Sequence, residues 1–343
     1  MKAAYLVEPR RIELREVPAP EPGPGEVLVR VRAVGVCGSD IHYYRDGRIG
    51  DTAASEPLIM GHEFAGEIAA LGSGVAGLTV GQRIAVEPAI ACGHCEMCEL
   101  GHPNLCLHIR FMATPPDQGA LAEYVLATPR RCFPLPDCLS VADGVMLEPL
   151  GVALHTKLLA KLLIGDSAAV VGCGPSGLLV LQLMQASGAL DIVATDRIEY
   201  RLEYARRYGA ALTVNVTRED PVKVVSAFTG GRGVDIVAET AGTTEAPEEA
   251  IRLARNGGTV LLVGIPAENR FTLTASVTRR RGLTLKAVRR MKHTYPRAIA
   301  LSQAGRVDLR SLVTHHFPLE RANEAFTLVA EESDGVIKVM IDV

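Results

Sequence analysis

The first 130 residues alternate apolar and polar side chains in short runs, with the two-residue period of strands that bury one face. Residues 12–17 and 27–34 show this period most clearly, and the Pro/Gly-rich residues 18–25 between them predict a turn. Strand-like segments separated by glycines continue to about residue 130. This part of the chain is therefore predicted to be β-rich.

From about residue 150, short apolar strands alternate with helical segments. The predicted order is strand 168–171, helix 178–187, strand 191–196, helix 198–208, strand 235–238, helix 246–255 and strand 259–264. Such alternation is typical of a parallel sheet with helices on both faces. After a strand at 283–286 the alternation stops, and helices are predicted at 295–303 and 319–330, with a last strand at 335–341.

Composition limits the classes of protein to consider. The 343 residues are 48% hydrophobic, which suits about two globular domains, and the net charge of -3 gives no reason to expect a nucleic acid or an anionic membrane as partner. No apolar run reaches the ~18–20 residues that span a bilayer, and the first residues lack the apolar length of a signal peptide. We expect a cytoplasmic protein.

Residues 172–177 read Gly-Cys-Gly-Pro-Ser-Gly and fit the pattern G-x-G-x-x-G. The pattern follows a predicted buried strand and opens an apolar helix, which is the setting of a dinucleotide-binding turn. The helix N-terminus offers free N–H groups to a pyrophosphate. The predicted cofactor-binding residues of the turn are Gly172, Gly174, Pro175, Ser176 and Gly177. The alternative is a glycine turn that only packs a helix against a strand.

Asp196 ends the next predicted strand, 19 residues after Gly177. A carboxylate there accepts hydrogen bonds from the adenosine ribose and repels a 2′-phosphate, so the sequence favours NAD over NADP. Arg197 and Arg201 lie close by in the sequence and could tolerate a phosphate.

Four of the eight cysteines, Cys92, Cys95, Cys98 and Cys106, lie within fifteen residues. Four thiolates at this spacing suit a closed tetrahedral zinc site, which orders a loop and leaves no position for substrate.

A second group of metal-binding residue types is dispersed along the chain: Cys37, His62, Glu63 and Glu148. Cysteine, histidine and carboxylate with one free position would make a catalytic zinc site. The residues alone leave the alternatives open, because a lone cysteine is usually buried packing and a His-Glu dipeptide is often a surface pair.

Several stretches together resemble the zinc-dependent medium-chain dehydrogenases, and in particular their sorbitol (polyol) dehydrogenase branch. They are residues 37–44, 47–51 and 61–63, the four-cysteine lobe, residues 111–117 and 148–150, the glycine turn and residues 312–319. The resemblance implies an α/β protein with a β-rich GroES-like catalytic domain and a Rossmann doubly wound parallel-sheet domain. It places these domains at 1–150 (with the zinc lobe at about 88–110) and 151–285, with 286–343 returning to the first domain.

The resemblance also implies roles for individual residues. Cys37, His62 and Glu63 are expected to bind a catalytic zinc, with Glu148 as a direct ligand or as the holder of a zinc-bound water. Ser39 and His42 match a proton path, and Asp40 would orient the zinc-bound imidazole. Positions expected to contact a polyol are Tyr43, Phe111, Thr114 and Arg290. Met291 replaces the family's aromatic residue after that arginine, and Arg289, one residue earlier in the alignment register, is a second candidate.

The implied activity is oxidation of a secondary hydroxyl of a polyol to a ketose, with hydride transfer to NAD and with two zinc ions per subunit. The alternative substrates are L-threonine and butane-2,3-diol. The resemblance also implies a homotetramer or homodimer formed through the Rossmann domain, with residues 259–264 near the pairing edge of its sheet.

Overall fold

The computed structural model describes residues 1–54 and 56–343, and the chain divides into two compact units. Unit 1 comprises Met1–Glu148 and Tyr295–Val343, and unit 2 comprises Pro149–Thr294. Among the described residues, no helix is both long and apolar enough to cross a membrane.

The elements follow one another in three stretches of chain. The first contains β1 (Lys2–Glu8), β2 (Arg11–Glu16), β3 (Val27–Gly35), α1 (Gly38–Asp46), β4 (Arg48–Ile49), β5 (Thr52–Ala53), β6 (Leu58–Ile59), β7 (Glu63–Leu71), β8 (Arg83–Val86), β9 (Ala89–Ile90), α2 (Glu96–Glu99), β10 (Arg110–Phe111), β11 (Tyr124–Ala127), β12 (Cys132–Pro134) and α3 (Val141–Val145). The second contains α4 (Leu147–Ala160), β13 (Ala168–Val171), α5 (Pro175–Ala186), β14 (Ile192–Asp196), α6 (Glu199–Arg207), β15 (Leu212–Asn215), α7 (Pro221–Phe228), β16 (Val234–Glu239), α8 (Ala246–Leu253), β17 (Ala254–Leu262), α9 (Ala275–Arg281) and β18 (Thr284–Ala287). The third contains α10 (Tyr295–Gln303), β19 (Val313–Pro318), α11 (Ala322–Glu331) and β20 (Lys338–Asp342).

Unit 1 is built on a sheet ordered β12-β8-β7-β3-β20-β19, with β11 also paired to β3. Alternate side chains of β3, namely Val27, Val29 and Val31, are buried in the core, as the two-residue period predicts. The last strand, β20, runs antiparallel beside β3, with Met340 opposite Gly35. The C-terminal segment thus completes the sheet that the N-terminal segment begins.

Unit 2 contains a six-stranded sheet ordered β15-β14-β13-β16-β17-β18, in which every pair is parallel. All four residues of β13 are buried, as is typical of a parallel strand with helices on both faces of its sheet. The fold class is thus confirmed: α/β, with a doubly wound parallel sheet in one unit.

The start of β16 is tied to the start of β13 by Asp235. Its carboxylate accepts hydrogen bonds from the backbone N–H (3.0 Å) and the hydroxyl (2.7 Å) of Ser167 and forms ion pairs with Arg232 and Arg255. Although burial opposes it, hydrogen bonds from Arg232, Ser167 and Arg255 hold the pKa of Asp235 well below its usual range.

One expectation differs from the structure. The predicted boundary at 285 falls inside β18, which pairs with β17 through Thr259↔Thr284 and Leu262↔Ala287, so unit 2 continues to Thr294. Residues 259–262 lie in β17, the strand next to the edge strand β18, and pairing of this part of the sheet with a second subunit stays a prediction.

Candidate functional site

Cys37, His62 and Glu63 come together in unit 1. Cys37 follows β3 and precedes α1, while Glu63 begins β7, where it lies opposite Gly35 of β3. One potential ligand atom from each of the three residues lies within 4.8 Å of the other two, and His62 and Glu63 are 5% and 1% exposed. A thiol, an imidazole and a carboxylate gathered in this way fit a zinc ion with one position left open.

Asp40 holds this cluster in place. Its carboxylate accepts hydrogen bonds from the backbone N–H of Cys37 (3.0 Å) and of Gly61 (3.2 Å), and lies 3.3 Å from Nδ1 of His62. Burial alone would lower the pKa of His62, but the charge of Asp40 raises it well above its usual value. With Nδ1 directed at Asp40, Nε2 is the nitrogen available to a metal.

Gly61 sets the backbone direction that delivers His62. Its φ of 83° lies in the left-handed region, and a Cβ there would approach Cγ1 of Val34 to 2.6 Å. Glycine meets both requirements because it has no side chain.

Lys338 is a member of the cluster that the sequence analysis did not identify. It begins β20, is 2% exposed, and its ammonium group pairs with Oε2 of Glu63. Burial would lower the pKa of Lys338, but the charges of Glu63 and Cys37 raise it. A lone lysine inside the apolar run 336–341 is the signal that could have revealed it.

Glu148 is buried in the first turn of α4 but is not among the three residues whose ligand atoms converge. Burial, and the charges of Glu148, Glu87 and Glu63, raise the pKa of Tyr295 well above its usual value. Glu148 as a ligand or as a holder of water stays a prediction.

Ser39 and His42 lie three residues apart on α1, so their side chains leave the same face of the helix. Both are half-buried. Their use as a proton path stays a prediction.

The residues predicted to contact substrate in unit 1 differ in exposure. The ring of Phe111 lies 5.2 Å from that of His62, centroid to centroid, and tilts by 55°, so it forms a wall beside the cluster. Thr114 donates its N–H to the carbonyl of Phe111 at 3.1 Å and is half-buried. Tyr43 is 1% exposed and packs in the hydrophobic core.

The fourth predicted substrate residue, Arg290, lies in unit 2. It is half-buried and has a φ of 52°, whereas Arg289 is exposed. Met291 is 4% exposed and packs closely on Gly151, where a Cβ would lie 2.6 Å from its sulfur. Met291 is therefore a packing residue of unit 2.

The four cysteines of the lobe also converge. Sγ–Sγ distances are 3.6 Å (Cys95–Cys98), 3.8 Å (Cys95–Cys106) and 3.5 Å (Cys92–Cys106). Sulfurs on a tetrahedron with Zn–S bonds of ~2.3 Å lie about 3.8 Å apart, so the lobe fits zinc. Backbone N–H groups of Cys98 and Leu107 lower the pKa of Cys95 to about 6, which favours the thiolate.

The glycine turn joins β13 to α5 in unit 2, with Gly174 as the N-cap and Pro175 as the first helical residue. Asp196 lies 7% exposed at the end of β14, and its carboxylate accepts hydrogen bonds from the N–H of Cys173 (2.7 Å) and of Ile198 (2.8 Å). The acid is thus fixed against the turn, as a ribose-binding carboxylate requires. Burial raises the pKa of the Cys173 thiol well above its usual value, in keeping with a packing role.

Of the neighbouring arginines, Arg197 is exposed and follows β14 directly, and Arg201 is half-buried on α6. Contact between either side chain and a cofactor stays a prediction.

Comparison with known proteins shows the same two parts. Residues 23–137 match the alcohol dehydrogenase GroES-like domain, and residues 175–304 match the zinc-binding dehydrogenase family. A sorbitol dehydrogenase of Bacillus subtilis is 39% identical over 341 residues, covering 99% of this chain and 97% of that protein.

Two solved structures are similar over nearly their whole length. An oxidoreductase/dehydrogenase of unknown specificity from Escherichia coli has a TM-score of 0.94 and 33% identity, covering 99% of this chain and 98% of its own. A 2R,3R-butanediol dehydrogenase from Bacillus subtilis has a TM-score of 0.90 and 32% identity, covering 100% and 99%.

Proposed function

The chain belongs to the zinc-dependent medium-chain dehydrogenases, and from this premise we propose that it oxidises a secondary hydroxyl of a sugar alcohol to a ketose while reducing NAD. The observation that carries the proposal is the convergence of Cys37, His62 and Glu63 in unit 1 of a chain whose other unit has a dinucleotide turn.

Two zinc ions per subunit are part of the proposal. The ion at the four-cysteine lobe would order that loop, since four thiolates leave no open position. At the second site, zinc when bound supplies a Lewis acid that favours loss of the alcohol proton, while NAD accepts the hydride. Cys37, His62 and Glu63 would hold this ion, and Asp40 orients the imidazole of His62.

The remaining steps belong to the chain's own side chains. Ser39 and His42, on one face of α1, would carry the alcohol proton towards solvent. Glu148 would hold a water or complete the ligand set. In unit 2, Asp196 would accept hydrogen bonds from the ribose and disfavour a 2′-phosphate, which supports NAD over NADP.

The polyol is supported by the sorbitol dehydrogenases among the relatives. Phe111, beside His62, and Thr114, on the same turn, are the groups of unit 1 best placed to line a substrate pocket. Arg290 is proposed to bind substrate hydroxyls, and Tyr43 to support the pocket from the core. A second candidate substrate is a smaller secondary alcohol such as butane-2,3-diol, favoured by the similar butanediol dehydrogenase structure.

The proposal also includes assembly and location. We propose a homotetramer or homodimer in the cytoplasm, where thiols stay reduced. All eight cysteines of the structure are free, in keeping with that setting.

The test removes one ligand at a time. Cys37→Ala and His62→Ala are each expected to lower turnover of xylitol with NAD by about a thousandfold or more, because the metal supplies several kcal/mol of stabilisation to the transition state. Affinity for NADH, measured by fluorescence, should stay at the parent value. Cys138→Ala, which replaces an exposed cysteine, is the matched control and should leave both quantities unchanged. Full turnover in either ligand variant would exclude the proposed zinc site.

A further inference from the structure

Lys338 reaches Glu63 across an intervening strand. The sheet order is β7-β3-β20, with Glu63 on β7 and Lys338 on β20. Nζ of Lys338 pairs with Oε2 of Glu63 and donates a hydrogen bond to the carbonyl of Val36 at 3.0 Å. A cation 2% exposed and a carboxylate 1% exposed are thus paired inside unit 1.

Gly35 of β3 makes the space for this pair. It lies opposite Glu63 on one side and Met340, two residues beyond Lys338, on the other. A Cβ at position 35 would overlap Oε2 of Glu63 and lie 3.1 Å from Cε of Lys338. Any residue with a side chain would therefore block the path of the lysine to the carboxylate.

The charges of the cluster explain why a cation is needed there. A Cys37 thiolate and the carboxylates of Asp40 and Glu63 carry three negative charges, whereas a zinc ion carries two positive ones. Lys338 supplies a third positive charge, which offsets one of these negative charges through its ion pair with Glu63. Asp40, Glu63 and Lys338 are buried and Cys37 is half-buried, so an uncompensated charge here would be costly.

We infer that Lys338 is a positioning residue of the proposed metal centre, which it serves by holding Oε2 of Glu63 so that only Oε1 is left for the metal. The inference rests on the proposed function. Without Lys338, both oxygens of Glu63 are free to bind the metal. The second oxygen would then occupy the position needed by substrate. The loss of the ammonium group would also leave one more negative charge of the centre without a partner. The C-terminal segment thus returns to unit 1 with a functional group as well as with a strand.

The test compares Lys338→Met with the parent chain, both loaded with Co²⁺ in place of zinc. The visible absorption of Co²⁺ depends on the coordination number of the ion. Subtracting the spectrum of K338M from that of the parent removes the contribution of the four-cysteine lobe, which is the same in both proteins. We expect K338M to keep two metal ions per chain, to lose visible absorption severalfold as coordination rises, and to lose about tenfold in kcat with an unchanged KM for NAD. K338R, which keeps the charge, should restore the parent spectrum.

The controls separate this inference from the proposed function. Lys2→Met, which removes an exposed ion pair to Glu320, should change neither spectrum nor kcat. If the parent chain binds metal only at the lobe, the proposed function fails. If the parent binds two ions and K338M has the same spectrum and kcat, the inference is wrong and the function stands. Should K338M not fold, Lys338→Gln takes its place, because glutamine keeps a donor for the carbonyl of Val36. If Lys338→Gln also does not fold while K338R does, Lys338 has only a structural role and the inference is overturned.

Discussion

Two glycines of the same turn, Gly177 and Gly174, are predicted to have different functions. A Cβ on Gly177 would lie 1.9 Å from the carbonyl oxygen of Gly172 and 2.7 Å from Oγ1 of Thr240. Relief requires these atoms to move apart by more than ~1 Å, but Gly172 cannot retreat, since it is packed on Ala241 and its carbonyl accepts a hydrogen bond from Thr240 at 2.6 Å. Gly177→Ala should therefore destabilise unit 2 by about 3 kcal/mol, the upper part of the range for overpacking.

Gly174→Ala is the matched substitution. Its φ is -68°, its ψ is -177°, and a Cβ there meets no atom within 4 Å, so stability should change by less than about 0.5 kcal/mol. The same open space is where a pyrophosphate must approach the backbone. A methyl group there should weaken NADH binding by about 10–100-fold, the loss of one charge-assisted hydrogen bond.

Thermal unfolding and NADH fluorescence titration of the two variants measure these effects separately. For a unit of this size, ~3 kcal/mol corresponds to a fall in Tm of about 10 °C. Gly177→Ala should melt early, and Gly174→Ala should melt with the parent chain but bind NADH weakly. If Gly177→Ala melts with the parent, or if Gly174→Ala melts as early as Gly177→Ala, the packing argument is wrong.

Two further substitutions test the zinc lobe and the sheet of unit 2. Cys98→Ser leaves three thiolates in the lobe, so metal analysis should find one zinc per chain instead of two, and the Tm of unit 1 should fall. If the variant retains two zinc ions, the four-cysteine assignment is wrong. Asp235→Asn should destabilise unit 2 by about 2 kcal/mol, because charge-assisted hydrogen bonds to a half-buried carboxylate are lost. The pKa of Asp235 is lower in the folded than in the unfolded state. Its contribution to stability is therefore complete above the unfolded-state pKa of about 4 and is lost as the pH falls below that value. Parent and variant should thus converge in stability in acid denaturation curves, and a constant difference in stability down to pH 2 would refute the assignment.

The sequence predicted those parts of the site that depend on local order. The glycine turn and Asp196 follow from strand, turn and helix signals in one short stretch, and the structure places the carboxylate on the N–H of Cys173. The four cysteines of the lobe are close in the chain, so their convergence follows from spacing alone.

The parts of the site that depend on pairing between distant strands could not be predicted from local sequence signals. Cys37 and Glu63 meet because β3 pairs with β7, a register that spacing does not define, so only the family resemblance joined them. Lys338 lies about 275 residues from Glu63 in the chain and was missed, because the return of β20 to β3 has no local signal. The strand at β18 was predicted, but the boundary at 285 came from the family resemblance and falls within that strand, and no local signal marks the end of unit 2 at Thr294.

The most direct test of the central claim is initial NADH formation with xylitol, sorbitol, galactitol, L-threonine and butane-2,3-diol, each with and without a chelator. We predict turnover on the polyols that the chelator abolishes. Turnover confined to threonine or the diol would contradict the polyol assignment, and turnover that persists after complete removal of metal would contradict the zinc mechanism.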